Sequence, residues 1–240
     1  MKVDSVHKYT AYRKQAMSGP VAERRTRKRL LTRQAISDVA TRLFFERGFD
    51  AVTIDEIAEA ADVGRMTVFN HFPRKEDMFF DREHEIRDVA FAAIRERDAG
   101  TSPVQALRSL ARRLIEQPHP SFPLFRGTYL FVETALASET LKARGRQMRD
   151  DFVRALAVGL ADAVGRPHDD PNAHLAAGLI AAVWSVAFTQ AHEAFGRTQD
   201  PSEANGTFLA LIERGTAGVE AALADTAYAS PGVAVHSSTP

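Results

Sequence analysis

The sequence contains no cysteine. That excludes disulfides, thiolate metal sites and a cysteine nucleophile, and it fits a reducing compartment. It also lacks a long apolar run. The longest, LAAGLIAAVWSVAF at 175–188, falls short of the about 20 residues that cross a bilayer and reads as a buried helix. The first residues, MKVDSVHKYTAYRKQ, have no apolar stretch of the kind that drives secretion. Alternation of apolar and polar residues at period two is missing, and β-branched clusters are short, so no strand is expected. These absences leave a helical, cytoplasmic chain without a membrane span. Its 240 residues, 45% hydrophobic and 26% charged, suffice for one or two domains.

A net charge of zero hides an asymmetry. Residues 1–75 carry 15 Lys and Arg against 9 Asp and Glu, an excess of six positive charges, and the remainder carries the compensating negative excess. Such a division suits a chain whose basic end meets a polyanion, although charge alone favours a solvated tail.

Helical periodicity runs throughout. Ile36, Val39, Ala40, Leu43 and Phe44 form one apolar stripe on a helix from about Lys28, which Gly48 ends. Thr53-Ile54-Asp55-Glu56 has the spacing of a capping box, in which hydroxyl and carboxylate reciprocally satisfy backbone N–H groups. Asp62-Val63-Gly64 is then a turn, Arg65–His71 a short helix, and Pro73 its stop. Lys75 opens a long helix to about Ala99. Ser102-Pro103 starts another, to Gln117. The segment 118–123 is a linker. Later helices are expected at 124–137, 139–164, 171–195 and 203–224, nine in all.

Two helices joined by a tight turn, the second short and polar on its outer face, make a helix-turn-helix. Val63, Val68 and Phe72 can seat the second helix against Ile57 and Leu43. Arg65 suits guanine O6 and N7; Asn70 and His71 suit base edges or phosphates; Met66 and the Thr67 methyl suit thymine methyls. Lys75, at a helix start, suits a phosphate. Arg24, Arg25 and Arg27, on an arm before the first helix, suit backbone or minor groove.

At this point the stretch GFDAVTIDEIAEAADVGRMTVFNHFPRKEDMF resembles the DNA-binding segment of the TetR family of transcriptional regulators. The likeness covers residues 26–80, with caps, turn, recognition helix and Lys-Glu pair in register. It implies roles for Thr53 at the N-cap, Thr67 and His71 on the recognition helix, and Lys75 on phosphate. Two positions depart from the pattern. Gly64 replaces a capping Ser, and Phe69 replaces a Tyr, leaving only apolar contact there.

The resemblance implies an all-α protein that regulates transcription. Residues 1–22 form a flexible arm, 23–74 the DNA-binding domain, 75–225 a ligand-binding and dimerisation domain, and 226–240 a disordered tail; Met17 is a second candidate start. It implies release of a repressor from a pseudo-palindromic operator by a small-molecule inducer. Phe125, Tyr129, Glu133, Trp184 and Phe188 can line a ligand pocket, with core packing as the alternative for each. Ala176, Ala177, Gly178, Ala181 and Ala182 are small enough for a homodimer through the last two helices. No cofactor, metal or catalytic residue is expected. His168-Asp169-Asp170 and the pair His174/Glu193 are the only enzyme-like groupings, and neither has recognisable ligand spacing.

Overall fold

The computed structural model describes residues 20–81, 83–117 and 126–230. Within them the chain forms ten helices and no strand: α1 (Pro20–Arg47), α2 (Ile54–Ala60), α3 (Arg65–His71), α4 (Glu76–Phe79), α5 (Glu83–Arg95), α6 (Pro103–Glu116), α7 (Arg126–Ala137), α8 (Glu139–Ala163), α9 (Pro171–Thr198) and α10 (Pro201–Ala222). They fall into two compact units that meet in sequence between Asp81 and Arg82. The expected linker at 118–123 and Phe125 lie outside the described residues, as do positions 1–19 and 231–240.

The first unit is built on the stripe of α1. Ile36, Ala40 and Phe44 are completely buried, with Ile57, Val68, Phe72 and Met78 around them. Phe44, Phe49 and Phe79 form an aromatic knot, with Phe44 4.9 Å from Phe49 and Phe79 about 6 Å from each. Gly48 ends α1 at φ 83, a conformation that favours glycine. The helix begins earlier than expected, so Arg24, Arg25 and Arg27 lie exposed on helical turns rather than on an extended arm.

Beyond shifts of a few residues at helix ends, such as α9 running to Thr198 and α10 starting at Pro201, two further departures change the architecture. The single helix predicted from Lys75 to Ala99 is two: α4 ends at Phe79, capped by Phe80, whose N–H bonds the Glu76 carbonyl, and α5 begins at Glu83. This raises nine helices to ten and places α4 in the first unit. The other departure is the tail. Residues 226–230 are folded, with Tyr228 only 1% exposed in the core of the second unit.

That core gathers Leu107 and Leu110 from α6, Leu156 and Leu160 from α8, Ile180 from α9 and Val219 from α10. Helix α9 is long and apolar enough to cross a membrane by length and composition alone. Here its Ala173, Ala176, Ala177, Ala187 and Ala191 are fully buried within the helical unit. Close approach of α10 to α9 depends on Gly215, where an added Cβ would lie 2.4 Å from Val183.

Candidate nucleic-acid interface

The turn between α2 and α3 is defined at both ends by local chemistry. Thr53 accepts from the Glu56 N–H and Glu56 accepts from the Thr53 N–H, so the predicted capping box is complete. At the other end, the Val63 N–H bonds the Ala58 carbonyl (3.0 Å) and the Asp62 N–H bonds that of Glu59 (3.1 Å). This is a Schellman closure, with Asp62 in the left-handed region at φ 51. Asp tolerates that conformation better than most residues. Gly64 caps α3 without a side chain, its carbonyl accepting from Thr67 and Val68. A Cβ there would meet only the Thr67 Oγ1, at 3.9 Å, so the missing serine is not excluded by space.

Helix α3 stands on Val68 and Phe72, both fully buried. Its outer face carries Arg65, Met66, Phe69 and Asn70, all exposed, with Met66 69% open to solvent. Thr67 and His71 are half-buried at its edges. A large exposed methionine beside an exposed phenylalanine is costly in water and fits a face made to be covered. Burial, reinforced by Arg29 and Arg33, lowers the His71 pKa. At neutral pH the ring is therefore an uncharged donor and acceptor, not a cation.

Three cations take positions that periodicity does not specify. Arg33 of α1 donates through Nη1 to the His71 carbonyl (2.5 Å), pairs through Nη2 with Asp81, and lies 4.0 Å over the Phe72 ring. It thus binds the end of α3 to the last residue of the first unit. Lys75 turns inward. Its ammonium donates to the Phe49 and Val52 carbonyls (2.8 and 2.9 Å) and sits 4.2 Å from the Phe49 ring. Burial lowers its pKa. Those carbonyls lie in the loop before α2, where backbone groups need side-chain donors. The Lys75 ammonium thus ties the loop before α2 to the start of α4. Finally, Arg65 donates through Nη1 to both carboxylate oxygens of Asp55 (2.7 and 2.6 Å).

Glu56 also receives Arg47 at 2.7 Å. The Thr53 N–H, Arg47 and the Thr53 hydroxyl hold its carboxyl at about 2, against an ordinary 4.5. A carboxyl depressed on folding stabilises the fold above its unfolded pKa, and that stability is lost as pH falls through the folded value. The contribution should be complete above pH 4.5 and vanish towards pH 2. Glu56→Gln, which keeps the cap geometry, should therefore flatten the acid limb of a plot of melting temperature against pH. An unchanged limb would show that Glu56 is not titrating with folding.

In the second unit, the described aromatic members of the expected pocket set make packing contacts. Trp184 and Tyr129 both pack against the cluster around Phe195 and Phe208, Trp184 edge-on to Phe208 at 5.8 Å and Tyr129 to Phe195 at 6.0 Å. Phe188 stacks on His192 at 4.1 Å, and Glu133 is exposed. Of the described members of that set, Trp184 alone lines the cleft formed with Val104, Leu107, Arg108, Ile180, Val183, Thr216 and Val219, which holds about 10 Å³. That is room for one water.

Members of the enzyme-like groupings make local structural contacts. His168 pairs with Asp162, and Asp170 caps α9 while accepting from the Tyr228 hydroxyl. His174 and Glu193 are 19 residues apart on α9, about 28 Å along the axis. Among the described residues no three His, Cys, Asp or Glu side chains gather as a metal site.

Residues 36–81 match the family model of bacterial regulatory proteins, tetR family. The chain is 31% identical over 113 residues to the HTH-type transcriptional regulator TcmR of Streptomyces glaucescens, covering 47% of this chain and 49% of that one. It is 25% identical over 142 residues to the HTH-type transcriptional repressor KstR2 of Mycolicibacterium smegmatis, covering 58% and 69%. The match to TcmR thus spans about half of that relative's length. Salmonella enterica GusR superposes with a TM-score of 0.50 at 20% identity, over 79% of this chain and 95% of that one, which establishes the shared fold.

Proposed function

We propose that this chain, whose residues 36–81 match the model of bacterial regulatory proteins, tetR family, is a transcriptional repressor that leaves its operator when a small molecule binds the larger helical unit. The observation that carries this reading is α3. It is a short helix locked from below by Val68 and Phe72 and presenting Arg65, Met66, Phe69 and Asn70 to solvent. A helix so mounted fits the major groove. Arg24, Arg25 and Arg27, exposed on the first turns of α1, are suited to phosphates.

The protein acts as a homodimer, through α9 and α10. Support for that interface comes from a face of small and apolar residues open to solvent: Leu175, Gly178, Ala182 and Val186 on α9, Ala210 and Ala217 on α10. The interior alanines Ala176, Ala177 and Ala181 are taken up within the protomer, so Gly178 and Ala182 are the members of the expected set that serve a partner. A two-fold dimer reads a pseudo-palindrome with half-sites ~34 Å or more apart. The cytoplasm, at the nucleoid, is where such a protein works.

The effector shifts a population between DNA-competent and released arrangements, and only by its differential affinity for the two.

The test is fluorescence anisotropy with DNA flanking the protein's own gene, titrated at several salt concentrations. Specific binding should fall with a log–log slope of about −0.9 per neutralised phosphate. Arg65→Ala should relax preference at one base pair by about 1–3 kcal/mol. Equal, weak affinity for all sequences would sink the regulator reading.

A further inference from the structure

Resting on that reading of α3, we propose that Asp55 is a positioning residue for base recognition: it holds the Arg65 guanidinium ready for guanine and keeps it from phosphates. Asp55 is the second residue of α2, and Arg65 is the first of α3. The contact therefore crosses the turn of the motif. Arg65 Nη1 sits between the two carboxylate oxygens, at 2.7 and 2.6 Å. The Phe69 ring, one helical turn along α3, lies 5.5 Å from the guanidinium carbon. The side chain is thus held from two directions while staying 56% exposed.

Stability does not account for this arrangement. Both partners are more than half exposed, 56% and 66%, and exposed pairs contribute little to folding. The acid would favour the start of α2 in any side-chain orientation. What the pairing fixes is the direction of a planar, five-donor group. With Nη1 occupied, the Nε–H and Nη2 edge is the pair of donors that matches guanine O6 and N7. An unpaired arginine on this face would instead take the nearest phosphate, raising affinity for every sequence alike. Asp55 opposes that in two ways. It occupies the guanidinium, and its own charge repels the DNA backbone. It is a device for specificity more than for affinity.

The experiment uses the full chain, an operator selected from a random DNA pool, and a scrambled duplex of equal length. Asp55→Asn and Asp55→Ala are measured in the wild-type and Arg65→Ala backgrounds by anisotropy at several salt concentrations. In the wild-type background either change should lower the ratio of operator to scrambled affinity by about 5-fold or more, within the range of one lost base contact. The scrambled duplex should bind more tightly, with a salt slope steeper by about 0.9, one added phosphate contact. In the Arg65→Ala background neither change should alter the ratio or add that slope. Equal tightening on both duplexes in both backgrounds would overturn the proposal, reducing Asp55 to a bulk charge. A higher ratio on removing Asp55 would overturn it too. Failure of the wild-type chain to select any operator would remove the regulator reading itself, a different result from these.

Discussion

Replacing Tyr228 by Ala should destabilise the larger helical unit by about 3–5 kcal/mol, the range for removing a buried aromatic ring. The ring is 1% exposed among Leu107, Leu156, Ile180 and Val219 and their neighbours. Its hydroxyl donates to Asp170 Oδ2 at 2.8 Å, and its carbonyl accepts from the Val104 N–H at 3.2 Å. One residue near the end of the described chain thus joins the first turn of α6, the N-cap of α9 and the core between them. Burial and the neighbouring carboxylate hold the Tyr228 hydroxyl protonated far above its usual range. The hydroxyl, followed by the Asn172 N–H, lowers the Asp170 pKa. Tyr228→Phe separates the two contributions by keeping the ring and losing the bond to a charged acceptor, and should cost less than Tyr228→Ala. Urea denaturation of the full chain followed by circular dichroism reads both. An unchanged midpoint for Tyr228→Ala would mean that the C-terminal segment is not part of this core.

Tyr228 also marks where local reading of a sequence stops. TAYAS lacks helical periodicity, so it reads as tail, yet burial depends on what lies across the fold rather than along the chain. The capping box at Thr53 was legible because both of its partners are within three residues. The Gly48 stop, the Ser102 and Asp170 starts and the apolar stripe of α1 are local in the same sense. Asp170-Pro171 and Asp200-Pro201 start α9 and α10 alike, each an Asp cap followed by Pro at the first helical position. The partners of Lys75 lie 23 and 26 residues back and those of Arg33 lie 38 and 48 residues on. Nothing in spacing announces that this lysine will cap two carbonyls. The break between α4 and α5 is of the same kind. Phe79 and Phe80 continue a helical pattern, but Phe79 is drawn against Phe44, Phe45 and Phe49 in the first unit. The outer face of α3 was recognisable from residue types alone, whereas the Asp55 clamp on Arg65 spans ten residues through a turn whose geometry decides it.

Phe72→Ala should abolish DNA binding for every sequence, in contrast to Arg65→Ala, which should remove one preference and leave the helix standing. Phe72 is fully buried at the C-cap of α3, and its N–H bonds the Val68 carbonyl at 2.8 Å. Its ring is also the surface on which Arg33 rests at 4.0 Å, so the substitution loosens the hold of Arg33 on the His71 carbonyl. Loss of the ring costs about 3–5 kcal/mol. A first unit of some sixty described residues commands a total stability near the low end of about 5–15 kcal/mol. Helix α3 has seven residues and cannot persist without packing, since isolated helices below about 12 residues are marginal. Amide hydrogen exchange should therefore accelerate from α2 through α3, and anisotropy should show operator and scrambled duplexes lost together. Retained operator preference in Phe72→Ala would place the anchor of the recognition helix elsewhere, with Val68 as the remaining buried contact to test.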